Sequence, residues 1–171
     1  MISEKYVLEV YPELPYANPN RRSLAKVVSK DKGLLAMNIA YRKELCNAHL
    51  CFEFTGEMYQ IVMDDLYADL LYTDREAFEA LAMYRLSLII QCEPGGFPGG
   101  NVEDGHHWTA MLDRGELMPR VLAADRFAAE HCGKGPVLRM LDHCISVEKQ
   151  SVLNKYKVME LQLQKKDVES L

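Results

Sequence analysis

The stretch "YTDREAFEALAMYRLSLIIQC", Tyr72–Cys92, constrains the fold more than any other part of this chain. Thr73 and Glu76 have the spacing of a capping box, so a helix is expected to start there. The first half of the helix is amphipathic. The second half is apolar nearly all round, and such a helix must be enclosed by other elements. Arg85, Ser87 and Gln91 interrupt it, so it is not a membrane span, and no other apolar run approaches about 18 residues.

The flanking segments supply that enclosure. Lys5–Tyr11, "KYVLEVY", reads as a short strand ended by Pro12, and "PELPYANPN" after it is loop chemistry. "SLAKVVSK" from Ser23 reads as a helix, with Gly33 placed to terminate it. "LLAMNIAYRKELC" puts Leu34, Met37, Tyr41 and Leu45 on one helical face, while a strand over residues 33–41 is the competing reading. "HLCFEF" and "MYQIVM" around "TGE" carry the signal of a hairpin turning at Gly56.

Beyond Cys92 the pattern is helical. "HHWTAMLDR" and "LMPRVLAADRFAAEHC" end near Gly115 and Gly133. Pro136 suits a first helical turn, and Val137, Leu138, Leu141, Cys144 and Ile145 form an apolar stripe after it. A last helix from about Ser151 carries Val152, Tyr156, Met159 and Leu163 at spacings of four and three, a short coiled-coil-like seam. The expected architecture is α+β and mostly helical. It has about six helices and a small antiparallel sheet made of the N-terminal strand and one hairpin. At 171 residues it is read as a single globular domain, 1–171, with residues 151–171 able to protrude as a C-terminal helix.

Charge narrows the function. The formal net charge of -5 gives no long-range attraction for nucleic acid, and "NRRS" and "QKKD" are too short to form a basic face. The opening "MISEKYVLEVYPELP" has no basic flank leading into an apolar core, so the five cysteines are expected as reduced thiols in the cytoplasm.

The Cys/His residues are the first chemical candidates. Cys46, His49, Cys51, His106, His107, His131 and Cys132 have the donor types zinc prefers, yet no C-x2-C pair occurs among them. Cysteine is also a common core residue, and the structural reading is the stronger one. "GGFPGG", inside "CEPGGFPGGNVEDGHHW", follows a helix and lacks the lysine of a phosphate loop, so it reads as a chain reversal. It offers Phe97 and Trp108 as aromatic anchors. The His106–His107 pair lacks a nucleophile or orienting group in a recognised relation. "SVEK" has Ser-x-x-Lys spacing without the partner motifs, and no G-x-S-x-G elbow exists. Asp65, Tyr67, Asp69 and Tyr72 make an acidic-aromatic helical face that could dock a basic partner or simply face water.

The expectation is a small cytoplasmic interaction factor of adaptor, inhibitor or immunity type. It would act by occluding another protein, through Phe97, Trp108, Asp65, Tyr67, Asp69 and Tyr72. Two alternatives stand beside it. One is a zinc-binding domain or metalloenzyme built on the Cys/His residues. The other is a homo-oligomer joined through Val152, Tyr156, Met159 and Leu163.

Overall fold

Met37, Ile39 and Tyr41 alternate with Ala36, Asn38 and Ala40 along one segment, and the first three are buried while the others are half-covered. That period of two is a strand's, because successive side chains of a strand point to opposite faces. In the computed structural model, which describes residues 5–45, 49–54, 59–92, 117–151 and 154–171, this segment is β3 (Leu35–Arg42). The other strands are β1 (Tyr6–Val10), β2 (Arg21–Ser29), β4 (Leu50–Phe54) and β5 (Tyr59–Met63). Two single turns follow, α1 (Asp65–Ala68) and α2 (Leu70–Thr73). The longer helices are α3 (Arg75–Cys92), α4 (Leu117–Cys132), α5 (Lys134–Glu148) and α6 (Lys155–Glu169).

The protein is therefore α+β, but its sheet is larger than expected and is mixed. The strand order is β1-β2-β3-β5-β4. β1–β2, β2–β3 and β4–β5 pair antiparallel, and β3 pairs parallel with β5. The N-terminal strand and the β4–β5 pairing match the sequence reading. The helix read from Ser23 is the strand β2, and over residues 33–41 the competing strand reading, not the helix, is the one the structure has, as β3.

Both corrections have a physical cause. In β2 the register shifts between Ser23 and Ala25, a bulge that buries the adjacent Leu24 and Ala25 and destroys the alternation by which a strand is read. Leu24, Val27 and Val28 are left at helical spacing. In β3, Met37 and Tyr41 are four apart, which fits either period. Leu34, on the buried face of the expected helix, is exposed. Neighbouring strands on both sides of β3 decide between the two readings, and local propensity does not encode those neighbours.

The chain forms two compact units. One comprises the sheet with α1 and α2, up to Arg75. The other comprises Glu76–Gln91 of α3 with α4, α5 and α6. In the sheet unit one face of the sheet is the core: Leu8, Val27, Met37, Ile39, Phe52 and Ile61 are buried along it. In the helical unit α3 buries Ala77, Phe78, Ala80, Leu81, Ala82, Met83, Leu86, Leu88 and Ile89, so its enclosure agrees with its composition. The expected Thr73–Glu76 capping box does not form. The Thr73 hydroxyl donates to the Asp69 carbonyl at 2.9 Å, and Glu76 pairs with Arg139 at 2.6 Å. Among the described residues no helix is long and apolar enough to cross a membrane.

Gly33 closes the β2–β3 connection at a φ of +61°, beside the Ser29 N–H to Leu34 carbonyl bond of 2.9 Å. An added Cβ there would meet nothing within 4 Å, so only backbone strain opposes a side chain. Gly33→Ala is expected to cost about 1 kcal/mol, seen as a lower urea midpoint at unchanged slope.

Candidate functional site

Proline sets the character of the longest described loop. Residues 11–20 connect β1 to β2 and contain Pro12, Pro15 and Pro19, each of which removes backbone freedom from the unfolded chain and from the loop. The rest is stitched by hydrogen bonds. The Tyr11 N–H donates to the Leu24 carbonyl at 2.9 Å and the Ala17 N–H to the Leu14 carbonyl at 3.0 Å. Asn18 Oδ1 accepts the Asn20 N–H at 2.9 Å, an Asx turn, and Arg22 reaches back to Glu13 at 3.2 Å. Lys26 lies 5.7 Å over the Tyr11 ring. This ordered loop holds Tyr16 at 98% exposure and Leu14 at 63%.

A cleft adjoins the loop in sequence and in the sheet. Asn20, Arg21, Arg42, Lys43 and Glu44 line a cavity of about 300 Å³. Arg21 and Arg42 stand directly opposite one another on β2 and β3, and the Lys43 N–H donates to the Asn20 carbonyl at 2.9 Å. Like charges in that position repel, so something must offset them. Glu53 does so for Arg42, through two bonds of 2.7 and 3.3 Å. Among the described residues Arg21 and Lys43 have no ion pair, so the cleft, with Glu44 also lining it, keeps a net positive charge.

Glu53 also ends a polar row that crosses all five strands. Glu9, Lys26, Asn38, Gln60 and Glu53 are successive cross-strand partners. Lys26 bonds Glu9 at 3.1 Å, the Asn38 amide donates to Gln60 at 3.1 Å, and the Gln60 amide donates to Glu53 at 2.7 Å. Cross-strand pairs of this kind stabilise a solvated sheet face.

The expected acidic-aromatic face divides. Tyr67 is only 3% exposed and packs in the interior, so its ring is not available to a partner. Asp65 and Asp69 are exposed, and Tyr72 is 67% exposed. Asp65 accepts a hydrogen bond from the Tyr41 hydroxyl. Burial, and after it that bond, push the Tyr41 phenol above its ordinary range. Asp64, part of the same acidic run but given no role of its own by the sequence reading, organises this corner. Its Oδ1 caps α1 by accepting the Leu66 N–H at 3.0 Å, its Oδ2 lies 2.6 Å from His49 Nδ1, and its N–H donates to the His49 carbonyl at 3.0 Å. The signal was local: an aspartate just before the first apolar helical residue is a common N-cap.

The described Cys/His residues do not form a cluster. Among the described residues no group of three or more His, Cys, Asp or Glu side chains is placed to hold a metal ion. His49 is tied to Asp64. His131 sits in the last turn of α4, with Nδ1 2.7 Å from the Phe127 carbonyl and its ring 4.2 Å from that of Phe127. Burial, with Glu79 nearby, pushes the Cys132 thiol up to about 12, which disfavours the thiolate a metal or an electrophile needs. Cys51, Cys132 and Cys144 form no disulfide. Cys46, Phe97, His106, His107, Trp108 and Val152 lie outside the described residues, as does the Gly-Pro loop. On α6, Tyr156, Met159 and Leu163 are all exposed.

Asp64→Ala removes the α1 cap and the tie to His49 together. A loss of about 1–2 kcal/mol is expected in urea denaturation, and a loss under 0.5 kcal/mol would show that the clamp contributes little.

Set against protein families, curated proteins and solved structures, the chain matches none of them.

Proposed function

We propose that this protein acts by binding and occluding another protein, as an adaptor or inhibitor does, and that the 11–20 loop is the principal contact. The exposure of Tyr16 carries this reading. A nearly fully exposed tyrosine on a loop already ordered by prolines and hydrogen bonds is a ready anchor. Tyrosine offers a large contact area with few torsions to freeze, and an ordered loop loses little entropy on binding. Leu14 adds apolar area beside it. The cleft supplies charged contacts from Arg21 and Lys43, with Glu44 beside them. The partner that fits is a protein surface with an apolar pocket and nearby carboxylates.

The test compares capture from the source lysate on the wild type, on Tyr16→Ala and on Tyr72→Ala, followed by titration of the purified partner. Tyr16→Ala should leave stability within about 0.5 kcal/mol and weaken binding by about 2 kcal/mol, or roughly thirtyfold. Tyr72→Ala should bind as the wild type does. A partner held equally by the wild type and Tyr16→Ala would overturn the assignment of the loop, and the absence of any captured partner would count against the function.

A second reading rests on α6. Tyr156, Met159 and Leu163 recur at spacings of three and four and are exposed, as one side of a helix pair would be. Self-association through this stripe predicts a concentration-dependent mass in sedimentation equilibrium that Leu163→Glu abolishes. A monomer at every concentration removes this reading.

A further inference from the structure

The buried stripe of α6 runs Leu161, Gln164, Val168, an amide set between two aliphatic side chains. Gln164 is 0% exposed, and so is Asp125 on α4. The Gln164 amide nitrogen donates to Asp125 Oδ2 at 3.0 Å and to the Tyr84 hydroxyl of α3 at 3.3 Å. Three helices thus meet at one enclosed polar cluster. A carboxyl group in such a place is costly when ionised, since it has given up water and gained no countercharge.

The surrounding charges do not repair this. Lys157 of α6 favours the carboxylate, but it is engaged by Glu160 at 3.1 Å. Arg126, next to Asp125 in the chain, is exposed and paired with Asp167 at 2.9 Å. Glu160 and Asp167 themselves oppose a negative charge on Asp125. From α3, Arg85 lies 5.6 Å over the Tyr84 ring, and burial pushes the Tyr84 phenol well above its ordinary range, so it remains a neutral hydroxyl. From α5, Arg139 is held by Glu76 and Asp142 by Lys165. Two acceptors of the cluster, Asp125 Oδ1 and Gln164 Oε1, are both buried with no hydrogen-bond partner. One proton on Asp125 supplies a donor and removes the charge in a single step.

We propose that Asp125 is a proton-binding site that couples the seating of α6 against α3 and α4 to pH. With the proton bound, the cluster is neutral and the three helices pack around it. When the proton leaves, a bare carboxylate remains between α4 and α6, and the helix that carries the exposed Tyr156–Met159–Leu163 stripe is held less firmly. This inference stands independently of the binding function proposed for the 11–20 loop. Burial is the main cause that raises the Asp125 carboxyl, to about 7, with Asp167 and Glu160 adding to it and Gln164 and Lys157 opposing it.

The sign of the linkage follows. A carboxyl whose affinity for the proton is higher in the folded chain makes folding take up a proton. The resulting stability is complete below the unfolded-chain value near 4 and is lost as pH rises toward 7. Two measurements on the full chain test it. Carbon-detected NMR of the Asp125 carboxyl, assigned through the backbone, should show a titration midpoint near 7. A midpoint below about 5 overturns the proposal, whatever any variant does. Urea unfolding from pH 4 to 8 should give an unfolding constant that rises about tenfold per pH unit between pH 4 and 7 relative to Asp125→Asn, roughly a thousandfold in all, and then levels off. Parallel curves for the two proteins would also overturn it. Gln164→Leu deletes the hydrogen bond that α6 makes to the carboxylate, and should move the NMR midpoint higher still. An unmoved midpoint would separate Asp125 from α6 and refute the coupling.

Discussion

The sheet unit depends on β3 being paired on both sides. Its antiparallel partner β2 brings in β1, and its parallel partner β5 brings in β4, so every strand reaches the sheet through this one. Because a strand's faces alternate, that placement turns Met37, Ile39 and Tyr41 inward together and sets Asn38 and Arg42 on the other face. Slipping β3 by one residue would bury Asn38 and expose Ile39. The polar row through Asn38 and Gln60, and the opposition of Arg21 to Arg42, both follow from this register.

The same register explains why the candidate contact surface lies where it does. Glu53 takes Arg42 and Gln60, so the sheet face satisfies most of its own polar groups. The 11–20 loop and the cleft beside Arg21 and Lys43 are among the places left with exposed apolar or unpaired cationic groups, as Leu34 and Tyr72 are elsewhere in the same unit. Function at such a place fits the general division of labour in proteins, where regular elements hold position and the connections between them carry contacts.

The helical unit follows a different logic. Its apolar stripes would pack in several registers, since Leu, Ala and Val side chains at helical spacing are interchangeable to a first approximation. Gln164 and Asp125 are not interchangeable: the hydrogen bond between them, with Tyr84 as third member, forms only where α4 and α6 bring the two together. A buried polar contact of this kind trades stability for a unique arrangement. Here it also brings a proton into the folding equilibrium.

Much of this protein was legible along the chain. The apolar composition of Phe78–Ile89 required an enclosed helix, Gly133 and Pro136 marked the break between α4 and α5, and "KYVLEV" and the β4–β5 segments read as strands. These are determined locally, by backbone freedom and by side-chain periodicity, and such effects act within a few residues. What only the tertiary structure decided was non-local. β2 and β3 became strands because partners from elsewhere in the chain completed their hydrogen bonds, and the bulge at Leu24 concealed the alternation that would have revealed β2. Tyr67 turned inward while Tyr72 stayed in water, although both sit in the same "DDLYADLLY" run. Asp125 and Gln164, 39 residues apart, carry no local sequence signal that they meet, and only packing encloses them together. Sequence sets which groups are costly to bury, but only the folded arrangement determines which of them are buried and what they meet there.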